Sequence, residues 1–357
     1  MRHHATLTTG ARGLAGAVLF ALAGAGAVLF AGAGAGAVLF AGAGAGAGAT
    51  VSGQQGAADA AGWAERAVHN IGAPINTKWD EGELSFADDG TMVFTSARQD
   101  LAVAPGDPKD LYIATFNLET GTWNTPVNMG LPINAAPATD VDPLRKGDDR
   151  EPWITPDGNT IFFKSDRLAT SNPRNMNDVF VTRKVNGKWT TPELVPAPIS
   201  TDIGNEHCPM LLADGKTLCF ASERPGGFGA ADIWCSQKGA DGAWQDPVNQ
   251  GPNINTAASE FHFMQDRKGQ WVYFTSGRPG GSGGADIWAA RQLGPNQWSP
   301  AVNLGPLVNT TGADMCPALG PGGTTFCWFA GRPDSLGAAD IYFTGQANID
   351  RVLSGRR

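Results

Sequence analysis

The sequence predicts an all-β fold: a five-bladed β-propeller with four antiparallel strands per blade, its ring closed by the N-terminal strand. Three observations carry this reading. An Arg-centred element recurs five times, with an aromatic residue four positions before each arginine: Phe94, Phe163, Phe220, Phe274 and Trp328. After each arginine comes an Asp-aliphatic-aromatic triplet, and the last four of its aspartates fall 54 residues apart. A fourth-strand tryptophan has four copies behind the repeats and a fifth at the front of the chain. Regular self-similarity at this length is the mark of blades or solenoid turns.

Within one unit the pattern reads as four strands. Residues 206–212 run into the turn Asp214-Gly215, a hairpin signal, and residues 217–222 return as a second strand. The loop Pro225-Gly226-Gly227-Phe228-Gly229 leads into a third strand at Asp232. A fourth begins at Gly242-Ala243-Trp244 and runs to Asn249. Four antiparallel strands in such a span make a propeller blade. The fourth-strand tryptophans are Trp123, Trp189, Trp244 and Trp298. At the front, Gly62-Trp63 precedes Asn70-Ile71-Gly72 and Ile75-Asn76-Thr77, matching Trp298, Asn303-Leu304-Gly305 and Val308-Asn309-Thr310. The N-terminal strand is therefore expected to complete the fifth blade and remove free sheet edges.

The domain reading follows: a Gly/Ala-rich targeting segment over 1–49, a linker over 50–61, the propeller over 62–346 and a C-terminal tail over 347–357. Arg2 and Arg12 precede an uncharged run from Gly13 to Ala58, in which Ala-Val-Leu-Phe recurs at 17–20, 27–30 and 37–40. Such a segment reads as a secretory signal or as an uncleaved membrane anchor, and both stay open. Either way the propeller is expected to be exported, to the periplasm, the cell surface or the medium. The net charge of −8 supplies no basic stripe for phosphates, which excludes a nucleic-acid partner.

The Phe-x-Ser-x-Arg-Pro-Gly-Gly and Asp-Ile-Trp elements resemble the WD-like β-propeller (Pro-Asp) repeat of TolB-type periplasmic proteins, over residues 62 to about 345. The resemblance implies a general binding scaffold, with an envelope protein or a polysaccharide as partner and no cofactor. The main expectation is a non-catalytic binding propeller. Its working face carries the loops into strand one and the Gly-rich loops between strands two and three. Specificity is expected at the long loops Gln99–Lys109 and Ala135–Asp148. The rival is a carbohydrate-active enzyme, a glycoside hydrolase or lyase using pore-mouth carboxylates. Such an enzyme needs non-repeat acids in its pore, and only repeat-derived acids stand out.

Those acids form the candidate site. Counting back 18 residues from each repeat arginine gives Asp80, Asp149, Glu206, Glu260 and Asp314. With Arg98, Arg167, Arg224, Arg278 and Arg332, and with Asp110, Asp178, Asp232, Asp286 and Asp340, each blade carries an acid–Arg–acid set at one end. Five like copies point to a structural ion-pair ring, since an arginine fork bridges two carboxylates; the alternative is that some of these acids bind ligand near the pore.

Cys208 and Cys219 lie eleven apart across a hairpin, and Cys316 and Cys327 repeat that spacing. In an exported protein this suggests two intra-blade disulfides, although Cys235 is left to replace a partner and small core residues are the other reading. His207 and His262 lie near the start of inner strands; an enzyme reading would make them ligands or bases, as in TolB-like sugar lyases with a metal site. Asp140, Asp142, Asp148 and Asp149 offer oxygen ligands to Ca²⁺ but read as a solvated acidic loop. No metal and no catalytic residue is assigned.

Overall fold

Five antiparallel sheets form the blades of a five-bladed propeller. The structure is a computed structural model and describes residues 68–100, 109–117, 120–134, 148–167 and 176–355. The targeting segment, the linker, Trp63 and most of the two long loops lie outside the described residues. So do Asp140 and Asp142. What is described belongs to one unit, Gln54–Arg357. Among the described residues no helix is long and apolar enough to cross a membrane.

The first strands are Glu81–Phe86, Asp149–Ile154, Glu206–Leu211, Glu260–Gln265 and Asp314–Leu319. Each packs against the first strands of both neighbouring blades, so together they surround the axis. The second strands end at Ser96, Ser165, Ser222, Ser276 and Ala330, and the third begin at Asp110, Asp178, Asp232, Asp286 and Asp340. The fourth are short: Val127–Asn128, Glu193–Leu194, Val248–Asn249 and Val302–Asn303. In the fifth blade that place is taken by His69–Asn70, which pairs with the third strand through His69↔Phe343 and Asn70↔Tyr342. The N-terminal strand thus closes the ring.

Between blades the core is apolar and aromatic. Phe94, Phe163, Phe220, Phe274 and Trp328, the residues four before each arginine, are all fully buried. Past the last strand the chain continues into a helix that packs on the propeller. An α-helix spans Gln346–Ser354, and Ile349 and Leu353, one turn apart, bury themselves beside Tyr273, Phe326 and Trp328.

The repeat arginine clasps neighbouring blades. Arg224 contacts the Glu206 carboxylate at 3.2 Å, donates Nε–H to Ser222 Oγ, and donates to the Ile199 carbonyl at 2.6 Å in the connection arriving from the preceding blade. The same pairing joins Arg98 to Glu81, Arg167 to Asp149, Arg278 to Glu260 and Arg332 to Asp314. Each guanidinium also lies over two aromatic rings, Phe220 and Trp234 in the case of Arg224.

Two features of the expected ring are corrected. In the first blade the paired acid is Glu81, not Asp80. Its hairpin closes between Ala87 and Thr91, one residue tighter than the Leu212–Thr217 hairpin of the third blade, so the count from the arginine falls one short. The carboxylates of the repeat aspartates Asp232, Asp286 and Asp340 are held by loop N–H groups and an asparagine and do not serve as second partners of the arginine. Asp232 accepts from the Phe228 and Gly229 N–H groups and from Asn249 Nδ2, holding the Gly-rich loop to the fourth strand. Asp286 and Asp340 do the same with Asn303 and Asn70, and Asp110 takes Asn128.

The Gly-rich loops also need glycine for room. A Cβ at Gly229 would sit 1.9 Å from the Ala258 carbonyl oxygen, at Gly283 1.8 Å from that of Gly312, and at Gly337 1.9 Å from that of Trp79. Each loop rests directly on the backbone that leads into the next blade.

Candidate functional site: the central channel

Every first strand carries a β-bulge just past its acid. The residue at the bulge has left-handed backbone in all five blades: Glu83, Glu151, Cys208, His262 and Cys316, with φ of 47°, 57°, 49°, 52° and 56°. Non-glycine residues enter this region at a cost, and a bulge re-aims the side chain it carries. Here the five backbones agree while the five side chains do not. All five line one cavity of about 500 Å³, which runs along the first strands past Trp153, Met210 and Met264 to the hairpin turns at Gln265 and Arg267.

Hydrogen bonds run around this ring from blade to blade. The Cys208 N–H donates to Glu151 Oε2 at 2.7 Å. The His262 N–H faces the Cys208 sulfur, and the Glu83 N–H faces that of Cys316. Cys316 Sγ lies 2.9 Å from His262 Nε2. Thr95 and Thr275 take the remaining turns, accepting from the Glu151 and Cys316 N–H groups. His207, one residue before the bulge, stands 3.7 Å from Glu151 Oε2 and edge-on to Phe261.

The electrostatics are uneven. Burial pushes the Glu151 carboxyl up, but Lys164, His207 and His262 outweigh it and hold the group well below the usual carboxylate range. Burial lowers His262, partly offset by Glu151 and Glu83. Burial, with the nearby acids, pushes the Cys208 and Cys316 thiols well above their usual range. Lys164 itself is buried and bonded to Asp148 at 3.2 Å; Arg150 holds the same carboxylate. Asp148 and Asp149 are therefore buried ion-pair partners, not members of a solvated loop.

The cysteines depart from expectation for the same reason. The bulge shifts the hairpin register, so Met210, not Cys208, lies opposite Cys219. Cys219 instead faces Cys235 across strands two and three and forms the disulfide Cys219–Cys235. In the fifth blade Cys327 lies opposite Ala318 and Phe343, and Cys316 points into the ring; both stay free, as does Cys208.

One oxygen of Glu151, the Cys208 sulfur and a ring nitrogen of His262 all lie within 4.8 Å of one another, the donor types of a transition-metal site. His262 Nδ1 and Glu83 Oε2 are buried with no hydrogen-bond partner among the described residues. Of the residues singled out by sequence, His262, Cys208 and Cys316 meet here, with His207 beside them; Glu83 and Glu151 were missed. The pore does hold non-repeat acids.

No family profile and no curated protein matches the chain. Among solved structures it is similar to α-L-arabinofuranosidase from Lactobacillus brevis, at 12% identity over 76% of this chain and 92% of that one, with a TM-score of 0.47. An endo-arabinanase of glycoside hydrolase family 43 from Bacillus licheniformis matches at 13% identity over 76% and 96%, TM-score 0.46. TolB from Acinetobacter baumannii matches at 14% identity over 73% of this chain, TM-score 0.40, and the match spans 53% of TolB. Likenesses at this level assign neither an activity nor a ligand to this chain.

Proposed function

We propose that this chain is a non-catalytic binding propeller of the exported, TolB-type repeat kind, and that its working site is the central channel. One observation carries the reading: five positions with the same strained backbone bear Glu83, Glu151, Cys208, His262 and Cys316, so chemistry is asymmetric where structure is symmetric. A purely structural ring would repeat its side chains, as the arginine clasps do. The cavity of about 500 Å³ suits a small solute or the end of a saccharide chain.

Two features of the ring bear on catalysis. A retaining or inverting glycosidase pairs a neutral carboxyl with an anionic one, and Glu151, held well below the usual carboxylate range, suits only the anionic role. A thiol nucleophile needs a lowered pKa, and both thiols are raised. The enzyme reading keeps one supporting observation, the pair of non-repeat acids Glu83 and Glu151.

Native mass spectrometry of the full chain, incubated with a small-molecule and saccharide extract of the cell envelope, tests the proposal. A bound species should disappear with Glu83→Gln and survive Phe228→Ala, which alters an exposed residue of a Gly-rich rim loop. The opposite pattern would return the working surface to the rim. Shortened saccharide in the wild-type sample, lost with Glu83→Gln, would establish the enzyme instead.

A further inference from the structure

Resting on the channel as the working site, we propose that the ring holds one divalent transition-metal ion of the zinc class, with Glu151, Cys208 and His262 as its three protein ligands.

The donors come first. A carboxylate oxygen, a sulfur and an imidazole nitrogen within 4.8 Å of one another need only small side-chain rotations to meet one ion. Donors bound at about 2.0–2.3 Å to a tetrahedral ion stand roughly 3.3–3.8 Å apart. The mixture discriminates among metals: Ca²⁺ and Mg²⁺ select oxygen, whereas sulfur and imidazole select zinc and its neighbours. Charge also matches. Glu151 and a Cys208 thiolate supply two negative charges, and Cys208 gives up its proton to solvent as the sulfur–metal bond forms, one proton per ion bound.

A second, independent observation comes from the same ring of bulge residues. His262 Nδ1 is buried without a partner, and so is Glu83 Oε2. Buried polar atoms in this state call for a specific explanation, and an ion is one of the few that serves a nitrogen lone pair. The neighbour of His262 prepares that lone pair. Cys316 Sγ lies 2.9 Å from Nε2, and the tautomer in which Nε2–H donates to that sulfur is the one that opens the Nδ1 lone pair to a metal. Cys316 is then a positioning residue, and so is Glu151's neighbour His207. Lys164, bonded to Asp148, adds positive charge nearby that favours the Glu151 carboxylate.

Three protein ligands leave a fourth position to face the cavity, the pattern of zinc sites that engage a further ligand. The site thereby supplies an anchor for an oxygen- or nitrogen-bearing solute within the channel.

The test uses the full chain, stripped with a chelator and titrated with Co²⁺ and, in competition, Zn²⁺. One equivalent of Co²⁺ should bind with a thiolate-to-cobalt charge-transfer band. Cys208→Ser should abolish the band, and His262→Gln should weaken binding at least tenfold. Cys316→Ser should keep the band while lowering affinity roughly 10–100-fold, as loss of an orienting partner does. Cys327→Ser, buried away from the ring, should change nothing. Absence of stoichiometric binding, or an unchanged band in Cys208→Ser, overturns the proposal. A chelated protein that takes up no metal yet still retains its envelope ligand would refute the metal site and leave the channel reading standing; loss of both results would refute both.

Discussion

Cys208 reaches across a blade boundary to Glu151: its backbone N–H donates to Oε2 at 2.7 Å, locking the third blade to the second through a side chain that faces the channel. The donor sits on left-handed backbone, φ 49°, so the bond and the strain belong to one residue. Glu151→Ala leaves this N–H without an acceptor and Lys164 short of a countercharge. It should lower stability by about 1–3 kcal/mol. Glu151→Gln keeps an acceptor and should cost less. Urea unfolding of the two variants checks the order; equal losses would show that the charge, not the hydrogen bond, matters here.

The cysteine assignment gives a second test. With Cys219 and Cys235 joined, alkylation of the unfolded, unreduced chain should modify three thiols, those of Cys208, Cys316 and Cys327, and peptide mapping should link 219 to 235. The double replacement Cys219→Ala/Cys235→Ala should cost about 2–4 kcal/mol, since the bridge closes a loop of 16 residues. A peptide linking 208 to 219 would instead require the hairpin register without its bulge.

That register marks how far the sequence was legible. The arginine clasp, the aspartate triplets and the closing strand recur, and repetition made blade count and ring closure readable. The channel residues were hard to see because they are where the blades differ: a search for sameness passes over Glu83, Glu151, Cys208, His262 and Cys316. Strand alternation does not announce a bulge either. A signal was nevertheless present, since each of these residues stands two after its blade's acid. Taking Asp80 for that acid, one short of Glu81, puts Gly82 in the channel position and hides Glu83.

The close contact beneath the Gly-rich loops predicts a contrast between adjacent glycines. At Gly283 an added Cβ meets the Gly312 carbonyl oxygen at 1.8 Å, and neither backbone can yield without parting two blades. At Gly284 it meets open space. Gly283→Ala should cost about 1–3 kcal/mol or more, whereas Gly284→Ala should stay within about 0.5 kcal/mol of the parent. Comparable melting temperatures for the two would show that the loop rides free of the next blade.

The acid of the first blade's clasp makes a signed prediction about pH. Glu81 is buried and accepts from the Thr77 N–H and hydroxyl at 2.7 Å each, from the Ser96 hydroxyl at 2.8 Å, and from Arg98 at 3.4 Å. Burial raises its pKa, and these four donors recover only part of the shift. A carboxyl with a folded-state pKa above its unfolded value binds its proton more tightly in the folded chain. Its contribution is therefore complete below the ordinary value of 4.5 and is lost as pH rises through the raised one. Glu81→Gln removes the titration and one acceptor, so at pH 7 it should cost about 1–3 kcal/mol. As pH falls from 7 toward 4.5 the wild type should gain on the variant, and the gap in urea unfolding free energy should widen. A gap that narrows on acidification would mean that Arg98 and the three other donors overcome burial and hold Glu81 as a carboxylate; the clasp would then be an ion pair first and a buried hydrogen-bond hub second.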